Sequence, residues 1–125
     1  MNRSVRLINL KDQRIISDKC IVAESFFSRL RGWIGKTRAD SGEGILFPRC
    51  TSIHMWFMVM PIDVVFLRVV HAEGSERKVV TSAHARVRPW KALPLNDWDA
   101  HEALELPEGS IARLGIAPGD ELCIG

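Results

Sequence analysis

The sequence predicts an all-β chain: an antiparallel β-sandwich or jelly-roll-like barrel carrying one or two short helices. Three observations predict it. Apolar, β-branched and aromatic residues fall in short runs, several with a period of two. Turn-forming Gly, Pro, Asn and Asp separate these runs at the spacing of a sandwich or small barrel. No regular alternation of strands with helices calls for a parallel sheet. At 125 residues the chain is expected to be one domain, 1–125, large enough for one core.

The elements follow in order. Residues 5–10 alternate as a strand, Lys11-Asp12-Gln13 reads as a turn, and 14–22 returns as a second strand, so the chain opens on a hairpin. Ser25 is placed to cap a short helix in which Phe26, Leu30 and Trp33 share one face, and Gly32 and Gly35 end it. Residues 44–47 form a short strand stopped by Pro48. Residues 53–58 and 62–70 read as strands from their β-branched and aromatic content. The stretch 71–76 is turn chemistry and 78–82 the returning partner. A short extended piece at Val87 is bent by Pro89. Residues 102–106 form a strand and 109–114 one helical turn. Ala117-Pro118-Gly119-Asp120 fits a type II turn, and 121–124 closes the chain as a last strand.

Composition excludes several classes. Hydrophobic residues make up 46% and charged residues 26%, with a net charge of +2, too small to call for a nucleic-acid partner. The acidic residues Asp97, Asp99, Glu102, Glu105 and Glu108 argue further against a nucleic-acid surface. Cys20, Cys50 and Cys123 are three thiols with no CxxC spacing, so neither a zinc site nor a disulfide framework is indicated, and reduced thiols in a cytoplasmic protein are the simplest reading. An exported form with its leader removed stays open. No apolar run reaches the roughly 18 residues of a membrane-spanning helix.

Chemistry concentrates in the run from Cys50 to Leu67. Cys50 and His54 supply the minimum for a cysteine nucleophile with its base. In a strand, however, residues four apart lie about 13 Å from each other, so the pair needs a bend at Thr51-Ser52 to meet. Without one, Cys50 is a buried thiol and His54 a histidine satisfied by a carbonyl or carboxylate, or one that contacts a ligand. His71, His84 and His101 form no metal-ligand spacing with His54, and no metal or other cofactor is expected. Asp63 opens an apolar strand, where it must be hydrogen-bonded: either to backbone N–H groups near Pro61 or as the polar anchor of a cleft. Met55, Met58 and Met60 beside Trp56 and Phe57 suit a core, or an adaptable surface. Arg86 and Arg88 share one face of an extended segment ending in Pro89-Trp90. A guanidinium beside an indole suits a carboxylate or phosphate on a planar ligand, and equally a solvated basic edge.

Three segments in the right order resemble the family called domain of unknown function 192. Arg29-Leu30-Arg31-Gly32-Trp33-Ile34-Gly35 is similar to the family's Arg-Gly-Leu-Met-Gly element, and Gly42-Glu43-Gly44-Ile45-Leu46-Phe47 to its Gly-x-Gly-Met-Leu-Phe. Trp56-Phe57-Met58 with Pro61-Ile62-Asp63-Val64-Val65-Phe66 is similar to its Phe-Trp-Met and Pro-Leu-Asp-x-x-Phe. The chain departs from the pattern at Trp33-Ile34, in the missing Lys-Asn-Thr after the central Met, and in a shorter gap from Met58 to Pro61. The resemblance implies a mainly antiparallel β-sandwich or jelly-roll-like barrel and carries no activity.

Three functions fit these residues. The first is a non-enzymatic module binding a small anionic or planar molecule. Arg88 would hold the anion, Trp90, Trp56 and Trp33 would supply flat walls, and His54 and Asp63 would orient it. The second is a subunit that docks a protein partner or serves a structural role. The third is an enzyme built on Cys50 and His54.

Overall fold

The structure, a computed structural model, describes residues 3–24, 40–53, 59–89 and 94–125. Strands β1 (Arg3–Asn9) and β2 (Arg14–Val22) form the opening hairpin, and β3 (Glu43–Phe47) and the two-residue β4 (Ser52–Ile53) follow. The long pair β5 (Ile62–Ala72) and β6 (Ser75–Val87) comes next, then β7 (Leu95–Asn96), β8 (Glu102–Pro107), the helix α1 (Ser110–Leu114) and β9 (Glu121–Ile124). Seven strands close into a barrel in the order β1-β2-β3-β8-β5-β6-β9, with β9 pairing back onto β1, while β4 and β7 form a separate two-stranded sheet. The all-β barrel expected from the sequence is therefore the fold.

Two turns form within the stretches where the sequence places them. Glu73 and Gly74 both have positive φ, 51° and 78°, as the two-residue turn joining right-twisted antiparallel strands requires. Gly119 at φ 93° and the hydrogen bond from Asp120 N–H to the Ala117 carbonyl make the expected type II turn. Three readings change. The turn takes only Glu73 and Gly74, so His71 and Ala72 stay in β5, paired with Glu76 and Ser75. Val87 does not start a new piece but ends β6, opposite Ile62. One pair, β2 with β3, is parallel. The twenty residues between Val22 and Glu43 make this possible, since a parallel pair needs a long crossover. The sequence-derived helix over 26–34 and most of the strand over 53–58 lie outside the described residues.

Two apolar clusters share the sheet. Leu7, Cys20, Leu46, Leu67, Leu104 and Leu122 come from six of the barrel strands and fill its interior. Leu114 and Ile116, in and just after α1, join that cluster and so close one end. On the outer face Ile45, Phe47, Ile62, Val64, Phe66 and Ala103 pack with Cys50, Ile53 and Met60. Strands β3, β5 and β8 are thus buried on both faces, which explains why the stretch from Val64 to Leu67 is apolar throughout rather than alternating.

Candidate functional site

Strand β6 carries two irregularities, one on each side of His84. Phe66 pairs with Ser82 but Leu67 with Val80, so Thr81 is an extra residue; Val64 pairs with His84 but Ile62 with Val87, so Ala85 and Arg86 together oppose Asp63. Both are β-bulges, which bend a strand and re-aim its side chains. The first turns two consecutive hydroxyls toward one carboxylate: Thr81 Oγ1 and Ser82 Oγ both donate to Asp97 Oδ2, at 2.7 and 2.6 Å. At the second, Arg86 adopts φ 53°, a conformation that costs a non-glycine residue about 1–3 kcal/mol.

Asp63 stabilises that strained turn. Its carboxylate is fully buried and accepts three backbone N–H groups: Arg86 at 3.0 Å, Gly109 at 3.3 Å and Ile111 at 2.8 Å. One side chain thereby ties the β6 bulge to the first turn of α1. Its partners are remote in sequence rather than the groups next to Pro61, and both its oxygens are engaged by backbone.

Beyond the second bulge lies an open groove of about 610 Å³, lined by His84, Arg86, Val87, Arg88, Pro89 and Leu95 among others. Arg86 and Arg88 are exposed, Val87 between them is buried, and both arginines line the groove. Neither pairs with an acid among the described residues. Leu95, which pairs with Ile53 across the small sheet, lines the groove, and so does Pro89, two residues past the end of β6. His54, Trp56, Trp90 and Trp33 lie outside the described residues.

His84 is the groove residue that sequence reasoning passed over. Its Nε2 lies 3.0 Å from Ser82 Oγ and its ring meets Phe66 edge-on, with centroids 5.7 Å apart. Burial pushes its pKa below the ordinary value, against the pull of the Asp97 carboxylate. Burial alone would raise the pKa of Asp97, but hydrogen bonds from Ser82, Thr81 and the Asp99 N–H outweigh it and hold that pKa below the usual carboxylate range. The order is histidine, serine, carboxylate. The serine proton points to Asp97 and away from the imidazole, so Ser82 is not activated as a nucleophile. The sequence signal for the cluster is slight, a Thr-Ser-x-His run in a strand, because Asp97 joins it only through the fold.

Glu105 is the second residue missed. It lies on the outer face, between Ile45 of β3 and Val64 of β5, and Val64 in turn pairs with His84. It is 6% exposed, and burial pushes its pKa up to about 8. The acidic stretch that argues against a nucleic-acid surface is divided by the sheet. Glu102 turns into the barrel end and pairs with Lys78 at 2.7 Å, Glu105 enters the outer apolar layer, and Asp97 is hydrogen-bonded to hydroxyls.

The Cys50 thiol is buried and donates to the Ser52 carbonyl at 3.2 Å. Cys20, inside the barrel, has its pKa pushed up to about 12 by burial. No three His, Cys, Asp or Glu side chains among the described residues gather as a metal site. No helix among the described residues is long and apolar enough to cross a membrane.

Comparison with known proteins agrees with the fold. The model of the domain of unknown function 192 family, described as "Uncharacterized ACR", matches residues 8–124. A UPF0127 protein of Thermococcus sibiricus is 32% identical over 120 residues, covering 93% of this chain and 72% of that one. A crystal structure from Sinorhizobium meliloti, provisionally named a transcription regulator, superposes with a TM-score of 0.79 at 22% identity, over 99% of this chain and 94% of that one. A protein of unknown function from Novosphingobium aromaticivorans gives 0.77 at 23% identity, over 98% and 84%. At these identities the two structures establish the fold alone.

Proposed function

Because the chain belongs to the domain of unknown function 192 family, whose description names no reaction, we propose its function from the groove itself: a non-enzymatic module that binds a small anionic or planar molecule. One observation carries the reading. Two guanidinium groups without an acidic partner among the described residues stand beside an open hollow whose other walls include Val87, Pro89 and Leu95. Pockets of this kind, mostly apolar with a few converging polar groups, are typical small-molecule sites. Arg86 and Arg88 hold the carboxylate or phosphate, and the apolar walls take the flat body. Asp63 acts in this reading as a positioning residue, through its bond to the Arg86 N–H. His54, Trp56, Trp90 and Trp33 remain proposed contacts; Pro89, which directly precedes Trp90 in the chain, lines the groove, and Ile53, which directly precedes His54, pairs with the groove residue Leu95.

A titration panel of aromatic carboxylates and nucleoside monophosphates tests this by calorimetry. Arg88→Ala is expected to weaken the best binder by about 1–3 kcal/mol, the scale of a lost charged hydrogen bond. A panel in which no compound responds to Arg86→Ala or Arg88→Ala refutes it. The reading as a protein-docking subunit has one observation in its favour: Trp98, between β7 and β8, is 76% exposed.

A further inference from the structure

We infer that the groove selects ligands carrying a hydrogen-bond donor beside their anionic group, because the Asp97–Ser82–His84 chain fixes His84 in the tautomer that leaves Nδ1 bare. The inference rests on the ligand-binding reading above and adds to it the class of ligand.

The proton assignment follows from counting. Asp97, held below the usual carboxylate range, is ionised and accepts only. Thr81 and Ser82 therefore each spend their single hydroxyl proton on Oδ2. Ser82 Oγ is left with lone pairs alone, so its 3.0 Å contact with His84 Nε2 is made by a proton on the imidazole. Burial keeps that ring neutral at ordinary pH, and a neutral imidazole with Nε2–H has an unprotonated Nδ1. No donor among the described residues reaches that nitrogen. The groove thus offers two kinds of contact. Arg86 and Arg88 are donors only, and His84 is an acceptor only. An anion with an adjacent O–H or N–H satisfies both, and an aromatic α-hydroxy acid is the simplest such molecule.

The bulge at Thr81 makes this possible. In a regular strand Thr81 and Ser82 would face opposite sides, and one carboxylate could not take both hydroxyl protons. The register shift brings both to Asp97, which arrives from the turn after β7.

The experiment uses the full chain and a matched pair of probes, mandelate and its O-methyl ether. The two share the ring and the carboxylate, and the ether replaces the hydroxyl donor by a methoxy group, whose added bulk the His84→Phe comparison controls for. The wild type is expected to bind mandelate at least about fivefold more tightly than the ether. That ratio is expected to fall to about one in His84→Phe. Asp97→Asn, which lets Ser82 turn its proton toward His84, is expected to reduce it also. Long-range ¹H–¹⁵N spectra of the histidine-labelled protein at pH 7.5, with His84 assigned by its absence from His84→Phe, are expected to show Nε2–H in the wild type and to change in Asp97→Asn. An Nδ1–H tautomer in the wild type overturns the inference whatever binds. Equal affinity for the two probes overturns it while sparing the anion site, provided Arg88→Ala still weakens both. If neither acid binds at millimolar concentration although Nε2–H is present, both readings fall together.

Discussion

Replacing Glu105 with glutamine should abolish one component of the pH dependence of stability. Burial moves this carboxyl from an ordinary 4.5 to about 8. Between those values the folded chain keeps the proton and the unfolded chain releases it. The folded state then binds more protons, so its stability must fall as pH rises across the window and level off above about 8. At 1.36 kcal/mol per pH unit the full effect is on the order of 4–5 kcal/mol, an upper figure because the surroundings relax. Glutamine has nearly the same shape and never ionises. At pH 9 Glu105→Gln is therefore expected to be more stable than the wild type by roughly 3–5 kcal/mol, and near pH 4.5 to differ by about 1 kcal/mol or less. Urea unfolding followed by tryptophan fluorescence, at half-unit steps from pH 4.5 to 9, measures this. The informative quantity is the difference between the two proteins, because other carboxylates contribute equally to both. Two curves that run parallel across the whole range refute the reasoning.

Three further outcomes are expected. Asp63→Ala strands the N–H groups of Arg86, Gly109 and Ile111 and removes the restraint on a positive-φ residue, so it should cost about 3–5 kcal/mol in guanidinium unfolding; a loss under about 1 kcal/mol would show that the carboxylate is dispensable. Lys78→Met should cost about 3–5 kcal/mol by leaving Glu102 buried without its cation, while Lys78→Met combined with Glu102→Leu should recover most of the loss, as measured by a double-mutant cycle. In the native state iodoacetamide should modify half-buried Cys123 well before Cys20 and Cys50, with all three reacting in denaturant; mass spectrometry showing Cys20 labelled first would contradict a thiol pushed up to about 12.

Local features of the chain are legible wherever they depend on neighbours in sequence. The tight turn at Glu73-Gly74 and the type II turn at Pro118-Gly119 are written in glycine and proline, whose backbone preferences act over a few residues. That Arg86 and Arg88 flank an apolar Val87 is likewise read from neighbours in sequence, and both are exposed around a buried valine. Glu105 was not legible. In Leu104-Glu105-Leu106-Pro107 the alternation reads as a half-exposed strand, yet β8 lies between β3 and β5 under a second apolar layer. Local periodicity reports which residues share a face, not whether that face meets water. His84 was passed over for a related reason. Its value lies in the hydrogen bond to Ser82, and the proton on Ser82 is fixed by Asp97, fifteen residues away along the chain.

The amino-acid sequence by itself determined that this chain is built from short strands and tight turns, and that two arginines flank a valine just before Pro89. Only the tertiary structure decided which strands became neighbours, that Asp63 braces a bulge against a helix, and that a carboxylate, a hydroxyl and an imidazole line up beside those arginines. The physical reason is range. Backbone sterics and side-chain alternation act within a few residues and leave a mark on the sequence, whereas barrel closure joins segments tens of residues apart through backbone hydrogen bonds that any residue but proline can make.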